Sequence, residues 1–355
     1  MAEKKKQHFV PQLLLRHFST DRDKKLINIF NSDSKFYKSN CPLKSQGQES
    51  YFYGEDGIIE NALGELESNA APIVSNIISN KTIPKRDSLD SQNLFLFSML
   101  LSFRTKNTVK HMNEVVDKPF QEIKKLDSRF NDNKYDNIHV GLKNPAAFSL
   151  SMISKEVLNA YDLGLKLIVN KSNKKFITSD HPAVLYNQFL EERKHPGGHL
   201  GIFTKGLQLF FPISPECMLV YYDTWAYKVG NKKDNIIYTQ NSSDIDQLNF
   251  LQMVNCTEMI YTNDSVKEFE LFRFSDKAKS LRTQDRTKFY EVNTRYKDDE
   301  GLEHIQYIQH GDNRNINLKL SFIKQPQGAK SHKLSDYVLQ FRDERLRYRK
   351  RNASH

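Results

Sequence analysis

The segment Leu94 to Phe103 (LFLFSMLLSF) constrains the 355-residue chain more than any other. Its 10 residues are apolar on every side apart from two serines. A membrane-spanning helix needs roughly 20 apolar residues. This one is therefore expected to be a helix buried inside protein on several sides. Surrounding it requires other packed layers, and 23 Phe and 16 Tyr supply apolar material for them. A chain of this length corresponds to about two domains, or one large one, at roughly 150 residues each.

The pattern on either side of that helix predicts an α+β fold, with a helical N-terminal half packed on a mainly antiparallel β-sheet C-terminal half. Pro11 to Phe18 predicts a short helix, with Pro11 in its first turn where a missing N–H costs nothing. Lys24 to Phe30 reads as a strand, followed by a polar loop to about Ser50. Ile59, Leu63, Leu66, Ala70, Ile73 and Ile77 recur at helical spacing. Pro72 within that stretch predicts a kink or a break. The buried helix is expected to start near Asp90 or Ser91 and to end in, or run through, Arg104 to His111. Asp127 to Asn137 is a polar connection that suggests a soft boundary.

Beyond it, Leu163 to Asn170 and Lys175 to Thr178 flank a turn-like KSNK, as in a hairpin. Leu207 to Phe211 and Met218 to Tyr222 read as further strands, Ser243 to Val254 as a helix and Met259 to Thr262 as a strand. Phe289 to Tyr296 and Leu302 to Ile308 suggest a late hairpin. The expected organisation is a mainly helical region 1–137, a mainly sheet region 138–330 sharing its core, and a basic C-terminal helix or tail 331–355.

Three cysteines, Cys41, Cys217 and Cys256, form no CxxC pair. Neither a disulfide framework nor a thiolate zinc site is therefore expected. The opening MAEKKKQHFVPQ has no apolar stretch suited to a signal sequence. These features lead to the expectation of a cytoplasmic protein without membrane contact. The 53 Lys+Arg against 43 Asp+Glu give a net charge of +10. Such an excess attracts phosphate-rich polymers, though it also keeps a surface solvated. Its densest run is the tail RDERLRYRKR, where Arg345, Arg347, Arg349, Lys350 and Arg351 are candidate nucleic-acid contacts.

Phosphate-cradling glycine loops, HExxH, GxSxG and EF-hand patterns do not occur, which removes the commonest ATPase, metalloprotease and hydrolase classes. His195 and His199 in KHPGGHL could ligate a metal or simply sit in a polar loop. In RTKNTVKH, six residues separate Arg104 from His111. On a continuous helix that seven-residue step returns to one face. The pattern resembles the Arg–His signature of HEPN ribonucleases, which implies metal-independent RNA cleavage. Thr105 departs from that signature, where an amide or acid commonly follows the arginine. A surface or capping role is the plainer assignment for His111.

The string QHFVPQLLLRHF is more distinctive. With IIENALGELESNAA, the arginine of LLSFRTKN, FITSDHPAV, FFPISP and QLNFLQMVN, in that order, it resembles the uncharacterised family known as domain of unknown function 4238. The matching pieces span His8 to about Asn263. His181 stands where that family often has Asn, and Thr-Lys follows the arginine in place of Thr-Pro. The resemblance implies no reaction, but it suggests which polar residues converge: His8, Gln12, Arg16, Glu67, Arg104 and Asp180. Asn249, inside an amphipathic helix, belongs to the same matched segments.

Two readings follow. In the first the chain is a nuclease hydrolysing RNA or DNA. Glu67 and Asp180 would hold Mg or Mn, His8 would act as general base, and Arg16 or Arg104 would clamp phosphate. A role as an effector of bacterial antiviral defence is an expectation drawn from the kind of family, not from any residue. In the second it is a non-catalytic module binding nucleic acid or protein, and the charged cluster is scaffold. There Asp180 would only organise a turn and Glu67 would pair with Arg16 across helices.

Overall fold

The computed structural model describes residues 5–195, 198–283, 288–297, 301, 303–310, 314–334 and 341–342. The helix predicted from the apolar run spans Leu89–Phe103 and is buried along most of its length. Ser88 caps it, its hydroxyl accepting from Ser91 N at 3.2 Å, and so satisfies one of the free amides of the first turn. The two serines inside the run are satisfied without water. Ser98 donates to the Leu94 carbonyl at 2.7 Å, and Ser102 donates across to the Ala183 carbonyl at 2.8 Å. Such bonds to nearby carbonyls let a hydroxyl sit in an apolar helix.

Its main helical neighbour is Ile58–Asn80, which runs unbroken through Pro72. Leu63 and Ala70 precede the proline, and Ile73, Val74 and Ile77 follow it; all five are buried. Packing of this one stripe outweighs the hydrogen bond the proline removes.

Two sheets lie beside these helices. The larger has the order Ile236–Thr239, Gly164–Asn170, Cys217–Tyr222, Gln208–Ser214, Val184–Tyr186. Its first pair is parallel and the others are antiparallel. The smaller is antiparallel, in the order Phe36–Pro42, Leu26–Asn31, Met259–Thr262, Thr178–Ser179. Leu26–Asn31 from near the start thus pairs with Met259–Thr262 from much later. Helices and strands are interleaved along the chain. The mixed α and β content matches expectation, whereas a helical first half followed by a sheet second half is not the arrangement found.

The hairpin expected between Gly164–Asn170 and Lys175–Thr178 does not form. The Asn170 side chain donates to the Lys174 carbonyl at 2.6 Å and turns the chain away. Asn249 then takes over the freed backbone, accepting from Ile177 N at 3.0 Å and donating to the Lys175 carbonyl at 2.8 Å. Thr178–Ser179 joins the other sheet. Strands Phe36–Pro42 and Gln48–Ser50 fall in the stretch expected to be loop, and helix Glu268–Arg282 adds to the expected elements. The Ser242–Asn255 helix is capped by Asn241, which accepts from Ser243 N at 3.0 Å. The late hairpin is present as Lys288–Lys297 with Glu303–His310.

Among the described residues of the expected basic tail, Arg342 forms a buried ion pair with the fold. Arg342 Nε and Nη2 donate to the two oxygens of Asp162 at 2.6 and 2.9 Å, and Nη1 donates to the Thr204 carbonyl at 3.1 Å. Both side chains of this fork are buried. Arg345, Arg347, Arg349, Lys350 and Arg351 lie outside the described residues, as does most of the expected tail helix. Replacing Arg342 strands a buried carboxylate. Arg342→Met is therefore expected to cost about 3–5 kcal/mol, read from urea denaturation midpoints. An unchanged midpoint would show that the pair contributes nothing.

Candidate functional site

The N-terminal segment is placed by its apolar side. Val10, Leu14, Leu15 and Phe18 are fully buried. Val10 N donates to the Gly47 carbonyl at 3.1 Å. Gly47 has a φ of 62°, and a Cβ there would lie 2.7 Å from the Val10 Cβ. Only glycine permits this approach. The strand Lys6–His8 pairs with Gln48–Ser50 and ends on His8. Pro11 precedes a short helix, Gln12–Leu15, which tightens into a 3-10 turn at Arg16–Phe18. Burying the leucines leaves His8, Gln12 and Arg16 one turn apart on the other side.

These three form a directed chain. The Arg16 guanidinium donates to Gln12 Oε1 at 3.3 Å, and Gln12 Nε2 lies 3.0 Å from His8 Nε2. An amide nitrogen can only donate, so His8 accepts at Nε2 and is neutral with its proton on Nδ1. Burial holds the His8 imidazole below its ordinary value; the Glu67 carboxylate and the Lys44 backbone pull it back up, and Arg104 lowers it further. Each of these influences acts by favouring or opposing the charged form.

Arg104 stands behind His8. It follows the apolar helix and is 1% exposed. Its Nη2 donates to Glu67 Oε1 at 2.7 Å. Glu67, half-buried on the neighbouring helix, forms the outer half of the pair. Burial works against the Arg104 cation, but Tyr53, Glu67 and Glu60 outweigh it and hold the guanidinium charged. The buried Tyr53 hydroxyl lies 3.2 Å from the Arg104 carbonyl and 3.3 Å from the His8 carbonyl, tying the two backbones together. Gln7 adds a second tie: Tyr53 N donates to its Oε1 at 2.6 Å, and its Nε2 donates to the Gly54 carbonyl at 2.7 Å. Arg104 Nε is buried with no partner among the described residues.

Five of the six expected residues therefore meet: His8, Gln12, Arg16, Glu67 and Arg104. Asp180 is engaged elsewhere. One of its oxygens accepts from Thr257 N at 2.7 Å, the other from Glu258 N at 2.7 Å and Met259 N at 3.0 Å. Burial pushes the Asp180 carboxyl up, while these three amides act in the opposite direction. Its neighbour His181 bonds Thr105 Oγ1 through Nδ1 at 2.7 Å. The two carboxylates expected to hold Mg or Mn thus serve different partners, Glu67 a guanidinium and Asp180 a backbone turn. No group of three or more His, Cys, Asp or Glu that could hold a metal ion occurs among the described residues.

The HEPN-like spacing also changes meaning. The apolar helix stops at Phe103, Arg104 and Thr105 are non-helical, and a new helix runs Lys106–Leu126. Arg104 and His111 therefore do not share one continuous helical face. In KHPGGHL both histidines are buried, and His199 Nε2 lies 2.8 Å from the His195 carbonyl. Gln7, Tyr53, His181 and Gln252 support the site without having been expected there. Gln7 and His181 stand inside the two most distinctive strings, directly beside His8 and Asp180. Gln252 accepts from Ser179 Oγ at 2.9 Å and donates to the Pro182 carbonyl at 2.9 Å.

The geometry defines a mixed α and β protein with a half-open His–Gln–Arg chain set against a pair formed by the buried Arg104 and the half-buried Glu67. The chain belongs to the family described as Protein of unknown function (DUF4238), which matches residues 6–266. No curated protein and no solved structure matches it. Among the described residues no helix is long and apolar enough to cross a membrane.

Two imidazoles here shape the response to acid. Burial lowers His17 to about 4, assisted by Lys24, and lowers His8 as well. The unfolded chain protonates both near their ordinary value of 6.5. Between that value and about 4 the unfolded state binds more protons, so stability falls as pH drops through this window. His17→Gln is expected to flatten that fall relative to the parent chain, measured as urea midpoints from neutral to mildly acidic pH. Parallel curves would show that His17 titrates alike in the folded and unfolded states.

Proposed function

We propose that the chain is a nuclease, a phosphodiester hydrolase acting on RNA or DNA, centred on His8. The observation that supports it is a neutral imidazole held beside an exposed arginine and backed by a buried guanidinium paired with a half-buried carboxylate. A neutral imidazole can take a proton near neutral pH. Here His8 Nε2 accepts the proton of the attacking water or ribose hydroxyl once that group displaces the Gln12 amide; the new P–O bond forms as the P–O bond to the leaving oxygen breaks, and that oxygen takes a proton from water. The exposed Arg16 guanidinium meets the phosphate and spreads its developing charge. Arg104 and Glu67 are positioning residues, setting the charge behind His8 and holding the helix that carries Glu67.

The setting we propose is destruction of foreign nucleic acid in bacterial antiviral defence, in the cytoplasm. The three buried cysteines are all free, which suits a reducing compartment. The basic tail supplies charge for holding a polyanion before cleavage.

Purified protein is incubated with single- and double-stranded RNA and DNA, with and without Mg²⁺ or Mn²⁺. Cleavage is expected, with His8→Asn slowing the rate by about 100-fold or more. Arg16→Ala is expected to raise KM. Glu67→Gln should shift the pH–rate profile through its effect on His8. The control His17→Gln should cleave at the parent rate. Absence of cleavage under all conditions, or a full rate in His8→Asn, would remove the catalytic assignment and leave the cluster as scaffold for a binding module.

A further inference from the structure

A second polar site shares no residue with the His8 cluster. A cleft of ≈ 400 Å³ opens between the turn at Ser32–Lys35, the start of helix Lys106–Leu126, the Cys256–Thr257 turn and the end of helix Glu268–Arg282. Four cations line it, Lys35, Lys110, Lys279 and Arg282, against one carboxylate, Asp33. Asp33 is occupied by Arg282 at 2.6 Å, and Lys35 pairs with Asp276. Lys110 and Lys279 have no ion-pair partner among the described residues, so the cleft carries positive charge that no described residue of its walls offsets.

The Arg282 side chain is 11% exposed and is held in place. One of its terminal nitrogens donates both to Asp33 and, at 2.9 Å, to the Thr257 carbonyl. Its Nε is buried without a partner among the described residues. Thr257 Oγ1 and Asn107 Oδ1, from two other walls of the cleft, are buried and unpartnered in the same sense. A guanidinium N–H can only donate and a hydroxyl can donate, while half a turn of the Asn107 amide presents a donor in place of its oxygen. Each of these three groups is a potential donor lying beneath a wall of the cleft, reached by a ligand only after a small side-chain shift. The Cys256 thiol in the same wall is pushed up to about 12 by burial, so it stays uncharged and does not repel an anion. Asp180 holds this wall, because its carboxylate takes the Thr257 amide.

The chemistry that fits a held guanidinium flanked by two lysines without ion-pair partners among the described residues is a multiply charged phosphate, which has several acceptor oxygens and more than one charge. A single carboxylate would leave one lysine unanswered. None of the described lining residues is aromatic, so they give no platform on which a base could stack. Its volume lies in the range of small-ligand pockets. We propose that this cleft binds the di- or triphosphate chain of a small molecule, reading the phosphates and leaving the organic part outside.

Inorganic pyrophosphate is the probe, titrated calorimetrically into the full-length protein. One-to-one saturable binding is expected. ATP should bind at the same site and adenosine should not, which separates recognition of the chain from recognition of the base. Lys110 and Lys279 are exposed, so the double variant K110Q/K279Q should fold normally. It is expected to weaken pyrophosphate by about tenfold or more, with a shallower salt dependence. Arg282→Lys keeps the charge but loses the donor at Nε, and should also weaken binding. The proposal is overturned by absence of pyrophosphate binding at low salt, by undiminished affinity in K110Q/K279Q, or by adenosine binding as tightly as ATP.

Discussion

A guanidinium taken almost wholly out of water has to be compensated where it lies, and the arrangement around Arg104 follows from that demand. Isolated buried charges are costly enough that the surrounding chain must bring a partner to them. Glu67 comes from a neighbouring helix, and Tyr53 fastens the Arg104 carbonyl to the His8 carbonyl. The N-terminal strand is thereby locked against the end of the most apolar helix. This explains why the helix stops where it does. Continuing it through Arg104 and Thr105 would carry the cation away from Glu67 and remove Thr105 from His181.

The order of polar segments was legible in the sequence because each contains an unusual residue amid apolar neighbours. Arg104 closes a run of leucines and phenylalanines, and His8 precedes a proline that starts a leucine-rich turn. Helical periodicity marks the Ile58–Asn80 helix, whose buried stripe leaves a local trace, and an unbroken apolar run marks Leu89–Phe103. Strand pairing leaves no such trace. The sequence could not show that Leu26–Asn31 pairs with Met259–Thr262, because register between distant strands depends on what else competes for their edges.

The FIT segment illustrates the competition. Its spacing after Gly164–Asn170 suits a hairpin, yet Asn249 satisfies the same backbone groups from a helix much later in the chain. The partners of Asp180 were not legible for a related reason. A carboxylate after a strand is compatible with a metal ligand, a catalytic acid or an acceptor for backbone amides, and composition does not separate them. Only the approach of residues 257–259 does so, and that approach is made by the strand whose pairing was not legible.

The dipeptide Asp180–His181 consequently sits at the junction of two polar centres. Through its carboxylate it holds Thr257, a wall of the basic cleft; through His181 it holds Thr105, next to Arg104. The helix Ser242–Asn255 anchors the same segment from behind, with Gln252 bonded to Ser179 and Pro182. Backbone rather than side-chain flexibility would therefore link the two centres: a shift of the 179–182 segment must disturb both Thr257 and Thr105, whereas rotation of either side chain disturbs only one.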